Sequence, residues 1–173
     1  MNWNDVGYMV ETPYSYPNLT VFENLKVYAK LRKLDNEHIT EIIERLFLTP
    51  YQNKKANNLS HGNQQRLGIA KALMHRPDLL ILDVMFGNKK QSVGFDYAVK
   101  FKQDKTLAHI PILMVTAVNI EHPGFNISSQ TGGEFLPIDE FIDKPAQPED
   151  LILKTKKLLK QKRSKWSNWP DIN

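Results

Sequence analysis

Residues 77–83, PDLLILD, hold the chain to a narrow set of folds. Four apolar residues between polar ends, closed by Asp83, make the pattern of a strand buried on both faces. Strand-like and helix-like stretches then alternate. FDYAVKFKQ (95–103) reads as a helix, IPILMVTA (110–117) as a strand and IDEFID (138–143) as a short strand, with Pro148 opening a last helix at its preferred first position. Such alternation implies a parallel sheet with right-handed crossovers. Upstream, VGYMVE (6–11) reads as one more buried strand, followed by the proline-punctuated loop TPYSYPN (12–18).

Three helices are expected between that loop and residue 77. Thr20 and Glu23 form a capping box, opening a helix with Leu25, Tyr28 and Leu31 on one face. Asn36 caps a second, with Ile39, Ile42, Ile43 and Leu46 on its face, and Ser60 caps a third running to about His75. The fold class expected is α/β, with about four parallel strands in the order 6–11, 78–83, 110–116, 138–143. Helices lie on both faces, and a helical insertion fills the N-terminal half.

Composition removes several function classes. At 173 residues, 41% hydrophobic and 24% charged, the chain is of single-domain size and globular in character. It has no cysteine, so disulfides, zinc–thiolate sites and cysteine nucleophiles are excluded. Its five histidines (38, 61, 75, 109, 122) include no i, i+4 pair, which argues against a histidine metal site. MNWNDVGYMV lacks a basic n-region and a long apolar core, and no apolar run approaches the ~20 residues of a membrane span, so a cytoplasmic location is expected. Leu151–Pro170 carries seven basic residues and no acid. That run reads as the solvated side and end of a terminal helix packed through Leu151, Ile152, Leu158 and Leu159, and nucleic acid is not the expected partner. Trp166 and Trp169 read as tail residues.

NLSHGNQQRLGIAKALMHRPDLLILD (58–83) resembles the signature segment and Walker B strand of the ATP-binding cassette ATPases. Leu59, Ser60 and Gly62 hold the signature positions, Gln65 and Arg66 follow, and Asp83 ends the Walker B strand. A serine and a glycine at a helix N-terminus present a hydroxyl and backbone N–H groups to a phosphate. VGYMVETPYSYPNLTVFENL (6–25) resembles the Q-loop region of the antibiotic-exporter branch, with Glu11 in place of glutamine. No G-x-x-x-x-G-K-[ST] occurs, and Val84 stands where the family has its catalytic glutamate. The resemblance therefore implies ATP contacts through Ser60, Gly62 and Gln65 only in trans, and no self-sufficient hydrolysis.

From Pro77 onward the chain also resembles the C-terminal half of a response-regulator receiver. PDLLILDVMF, GFDYAVKFKQDKTLAHIPILMVTA (94–117), a GFN-type loop (124–126) and FIDKPAQPEDLI (141–152) carry that likeness. It implies Asp83 as phosphoacceptor, Thr116 as switch hydroxyl, Lys144 as the phosphoryl-pairing lysine, and a cis Lys144–Pro145 bond. A carboxylate nucleophile of this kind needs a cation and a counter-charge. Asp83 with Glu11 is the candidate pair for weak Mg²⁺ binding.

The expected organisation joins an ATPase-like segment (1–76) to a receiver-like half domain (77–162) and a basic tail (163–173), a flavodoxin-like and P-loop-like hybrid forming one globular unit. The function expected first is a receiver-like phosphoacceptor or interaction module, served by a histidine kinase or another phosphodonor. The alternatives are an ATP-binding segment of an exporter, partnered by an intact cassette ATPase subunit, and a folded chimera without evolved function.

Overall fold

Among the described residues every β-strand runs parallel to its neighbours. The computed structural model describes residues 2–10, 13–84, 93–104, 107–117 and 138–161. Its elements are β1 (Val6–Met9), α1 (Val21–Arg32), α2 (Asn36–Arg45), α3 (His61–Leu73), β2 (Leu79–Val84), α4 (Val93–Gln103), β3 (Ile112–Thr116), β4 (Glu140–Asp143) and α5 (Pro148–Gln161). The sheet order is β1-β2-β3-β4, as expected. Val6 pairs with Leu79, Leu80 with Ile112, and Leu113 with Glu140.

Two compact units result. The sheet unit takes in β1 and the described residues from Asp78 onward, whereas the helical unit takes in 13–77. Sequence likeness placed the joint near residue 76. Compactness cuts the chain differently, because the backbone of β1 is hydrogen-bonded to β2, and Asp78 N donates to Asp5 O at 2.7 Å.

In the sheet unit, strand alternation sends Val6, Leu79, Ile81, Leu113, Val115 and Ile142 to one face, where they pack with Leu158 of α5. Leu151 and Leu159 flank that cluster. Leu80, Leu82, Ile112 and Met114, of the opposite parity, are buried as well. This explains why these strands read as continuous apolar runs. α4 contacts β2 and contributes buried Ala98 and Phe101. Ile152, expected on the packing side of α5, is exposed, and Thr155 takes the buried place between Leu151 and Leu158.

In the helical unit the Thr20–Glu23 capping box forms as expected, with Thr20 N donating to Glu23 Oε2 at 2.8 Å and Glu23 N to Thr20 Oγ1 at 3.1 Å. Ile39, Ile42 and Ile43 are buried, as is Leu46. Two expectations need correction. The cap of α2 is Asp35 rather than Asn36, since the Asp35 carboxylate accepts from His38 N. Leu31 is 77% exposed, because six residues at ~100° each put it about 240° round from Leu25. The buried face is Val21, Asn24, Leu25 and Ala29.

Glu140 is a buried acid at the start of β4, held by Lys157 and by Lys154 at 3.3 Å. Burial alone would raise its carboxyl pKa. Hydrogen bonds from Lys157 and Lys154 outweigh that and hold it below the ordinary glutamate range. A carboxyl depressed in the folded state stabilises above its unfolded pKa, and that stability is lost as pH falls through the folded value. Glu140→Gln should therefore cost about 1–2 kcal/mol at neutral pH, with the gap to the parent closing below about pH 4. Urea melts across that pH range measure it.

Candidate functional site

The end of β2 carries Asp83, with about a fifth of its side chain exposed. Its neighbours come from both flanking strands and from the residue after β4. β3 ends at Thr116, opposite Val84, and Thr116 is fully buried. Beyond β4, Lys144 N donates to Thr116 O at 2.7 Å, which extends the ladder by one residue and sets the lysine at the same sheet edge. Its Nζ lies 2.6 Å from Asp83 Oδ1, an oxygen screened from solvent that takes the ammonium as an ion pair and accepts no aligned hydrogen bond from the described residues. The Lys144–Pro145 bond is cis. The ion pair and the shared ladder thus bring Asp83, Thr116 and Lys144 to one edge, where open α/β sheets place their sites.

Tyr8 of β1 joins them and was not foreseen. Its hydroxyl donates to Asp83 Oδ2 at 3.5 Å, and burial, then the Asp83 charge, pushes its pKa above the ordinary tyrosine value. Register places it there: Tyr8 pairs with Ile81, so it shares a face with Asp83 two residues further on. Both carboxylate oxygens are thereby engaged. Among the described residues no group of three or more histidines, cysteines or acids is placed to hold a metal. Mg²⁺ would have to displace the Lys144 ammonium or draw on Glu11, which lies outside the described residues, as do the GFN loop and the basic tail.

The second candidate set belongs to the helical unit. Ser60 is the N-cap of α3 and accepts from Asn63 N at 3.4 Å. Ser60, His61 and Gly62 are exposed, and a Cβ added at Gly62 would meet nothing within 4 Å. The start of this helix is thus a hydroxyl and an open stretch of backbone. Gln65, one turn on, is buried, and its Oε1 has no hydrogen-bond partner among the described residues. Asn63 is buried too and accepts from Arg66 at 3.3 Å.

Further along α3 the helix grips the loop that precedes α1. Gly68 packs on the Pro13 ring so closely that any Cβ there would overlap it. Lys71 Nζ donates to Tyr14 O and to Ser15 Oγ, each at 2.8 Å, and burial brings its pKa down to about 8. Asn24 of α1 holds the same loop, accepting from Tyr16 N at 2.8 Å and donating to the carbonyls of Tyr16, Leu19 and Thr20. Tyr14 and Tyr16 stand out from it, edge to face at 5.5 Å.

The family match falls in the first half of the chain. Residues 3–86 match the family model described as ABC transporter. The uncharacterized ABC transporter ATP-binding protein YdbJ of Bacillus subtilis is 49% identical over 79 residues, 45% of this chain and 26% of that protein. The bacitracin transport ATP-binding protein BcrA of Enterococcus faecalis is 44% identical over 82 residues, 47% of this chain and 27% of that one. The chain thus spans about a quarter of the length of these relatives. The structure of cbiO1 from Clostridium perfringens, part of the ABC transporter complex cbiONQ, superposes on 65% of this chain and 47% of its own with a TM-score of 0.53 and 23% identity. That match shows fold alone, and it covers more of the chain than residues 3–86. The comparisons carry the ABC transporter ATP-binding reading of residues 3–86. They lend no support to the receiver reading of 77–161, which rests on the Asp83 site itself.

The two glycines of α3 should separate function from packing. Gly62→Ala is expected to leave the fold intact and to add a few tenths of a kcal/mol through helix propensity. Gly68→Ala is expected to lose about 1–3 kcal/mol, because the Pro13 ring cannot give way as a flexible side chain would. Thermal melts of both variants test the contrast. Lys71 should show a pH signature. Its folded pKa of about 8 lies below the ordinary lysine value, so the unfolded chain binds more protons between the two. Stability should rise from this group as pH climbs through that window, and Lys71→Met should flatten the rise.

Proposed function

We propose that the chain acts as an ATP-binding segment of the ABC exporter type, engaging nucleotide through the start of α3 against a complete ATP-binding subunit. One observation carries the reading. The signature residues Ser60 and Gly62 lie exposed at the N-terminus of a 13-residue helix, with open space over Gly62. The positive end of the helix dipole lies at that exposed start, an arrangement suited to phosphate oxygens. The likeness to a bacitracin transport ATP-binding protein points to transport as the setting. The sequence shows no phosphate-cradling glycine loop and has Val84, not an acid, directly after Asp83, so its share of the chemistry is to close over nucleotide held elsewhere.

The test is association with an intact ATP-binding subunit of the exporter class, followed by size-exclusion chromatography with and without ATP. A complex that needs ATP and is lost in Gly62→Asp is expected. A complex indifferent to ATP, or none, overturns the reading. The chain alone should turn over no ATP, and hydrolysis that vanishes in Asp83→Asn would overturn that part.

The Asp83–Lys144 pair favours a second reading, a receiver-like phosphoacceptor. An Asp83 oxygen would attack the phosphorus of an acyl phosphate, forming an O–P bond as the acyl carboxylate leaves, with the Lys144 ammonium 2.6 Å away to balance the charge. Intact mass after exposure to acetyl phosphate reads it directly. A phosphoryl adduct absent from Asp83→Asn would support it, and an unmodified chain would remove it.

A further inference from the structure

α5 turns one side to the sheet and leaves the other bare. Leu151, Leu158 and Leu159 pack inward and Thr155 is fully buried. On the outer side Ile152 is 39% exposed and Leu153 67%, with Lys156 and Lys160 exposed beside them. At ~100° per residue these four side chains lie within about 100° of arc. They form one stripe.

The charges along the helix are sorted. Glu149 and Asp150 sit in its first turn, and no acid follows as far as Pro170. Lys154 and Lys157 are held by Glu140. Lys156 and Lys160 enter none of the ion pairs among the described residues, so their ammonium groups face outward with the aliphatic pair. The sequence beyond Gln161 adds Lys162, Arg163 and Lys165.

We propose that this stripe of α5 docks on the surface of an anionic phospholipid bilayer. Ile152 and Leu153 enter the acyl boundary, and Lys156 and Lys160 meet the lipid phosphates. A nucleic-acid backbone would also take the two lysines, but it offers no apolar phase for two exposed branched side chains. A bilayer surface takes both kinds of group together. Two apolar residues and a few cations make a weak, reversible contact that depends steeply on anionic lipid. The proposal rests on neither functional reading above.

The experiment is co-sedimentation of the full chain with vesicles of phosphatidylcholine alone and of phosphatidylcholine mixed with phosphatidylglycerol. Binding is expected only to the mixed vesicles, falling as salt rises. Lys156→Gln with Lys160→Gln should weaken it about fivefold per lysine. Leu153→Asn should weaken it several-fold without a charge change. All three positions are exposed, and circular dichroism with a thermal melt checks that each variant folds as the parent does. A chain ending at Gln161 should bind less but still respond to these variants. The proposal falls if neutral and anionic vesicles bind alike, if nothing binds, or if Leu153→Asn has no effect. It falls equally if duplex DNA binds with the same lysine dependence and competes the vesicles off.

Discussion

The sheet unit depends on β2 being hydrogen-bonded along both edges. Parallel pairing on each side satisfies its backbone, and an apolar complement on both faces lets it sit between layers without stranding a polar group. Once that strand is central, the position of Asp83 follows, since it is the first residue whose carboxylate can leave the buried layers at the C-terminal edge. β1 then brings Tyr8 to one side of it. β3 and β4 run alongside in register, and the single added ladder bond at Lys144 N sets the ammonium against Oδ1. The site is a consequence of strand order more than of any loop.

Strand order was legible because it rests on burial, which sequence reports well. Three of the four strands read as apolar stretches of the right length, IDEFID being the acidic exception, and the capping box at Thr20 and Glu23 is a local pattern with a local cause. What escaped was relative rotation and choice among neighbours. Asp35 and Asn36 are both good caps, and only the backbone at Asp35 decided between them. Leu31 and Ile152 are apolar residues at the wrong angle for their helices, and apolarity was read as burial. Tyr8 needed the β1–β2 register, which is a tertiary fact, and the amine of Lys71 needed a loop 56 residues away in sequence.

The two likenesses meet in PDLLILD, and they weigh differently. That of residues 3–86 is supported by relatives sharing nearly half their aligned residues. That of 77–161 draws no support from the comparisons, and there the chain shows only that Lys144 lies against Asp83. An aspartate ending a central parallel strand is a point where different chemistries share the same geometric need, a carboxylate held still at a sheet edge. What distinguishes them is the partner supplied from elsewhere. In this chain the observed partner is an ammonium, which leaves the carboxylate neutralised and held from both oxygens.

The helical unit shows the same economy in another form. One helix, α3, does two jobs with residues about two turns apart. Its first turn, capped by Ser60, is open to solvent, whereas Gly68 and Lys71 are pressed against the loop of Tyr14 and Tyr16. Gly62 and Gly68 are therefore glycines for opposite reasons. At Gly62 the missing side chain borders open space at the helix start, and at Gly68 it lets a proline ring approach. A rigid helix joins the two, so a ligand at the first turn and a partner touching the tyrosines would act on the ends of one body. The loop has no helix or strand of its own to stiffen it. What ties it down is the Asn24 amide and the Lys71 amine, two polar groups whose hydrogen bonds go to its backbone and to Ser15.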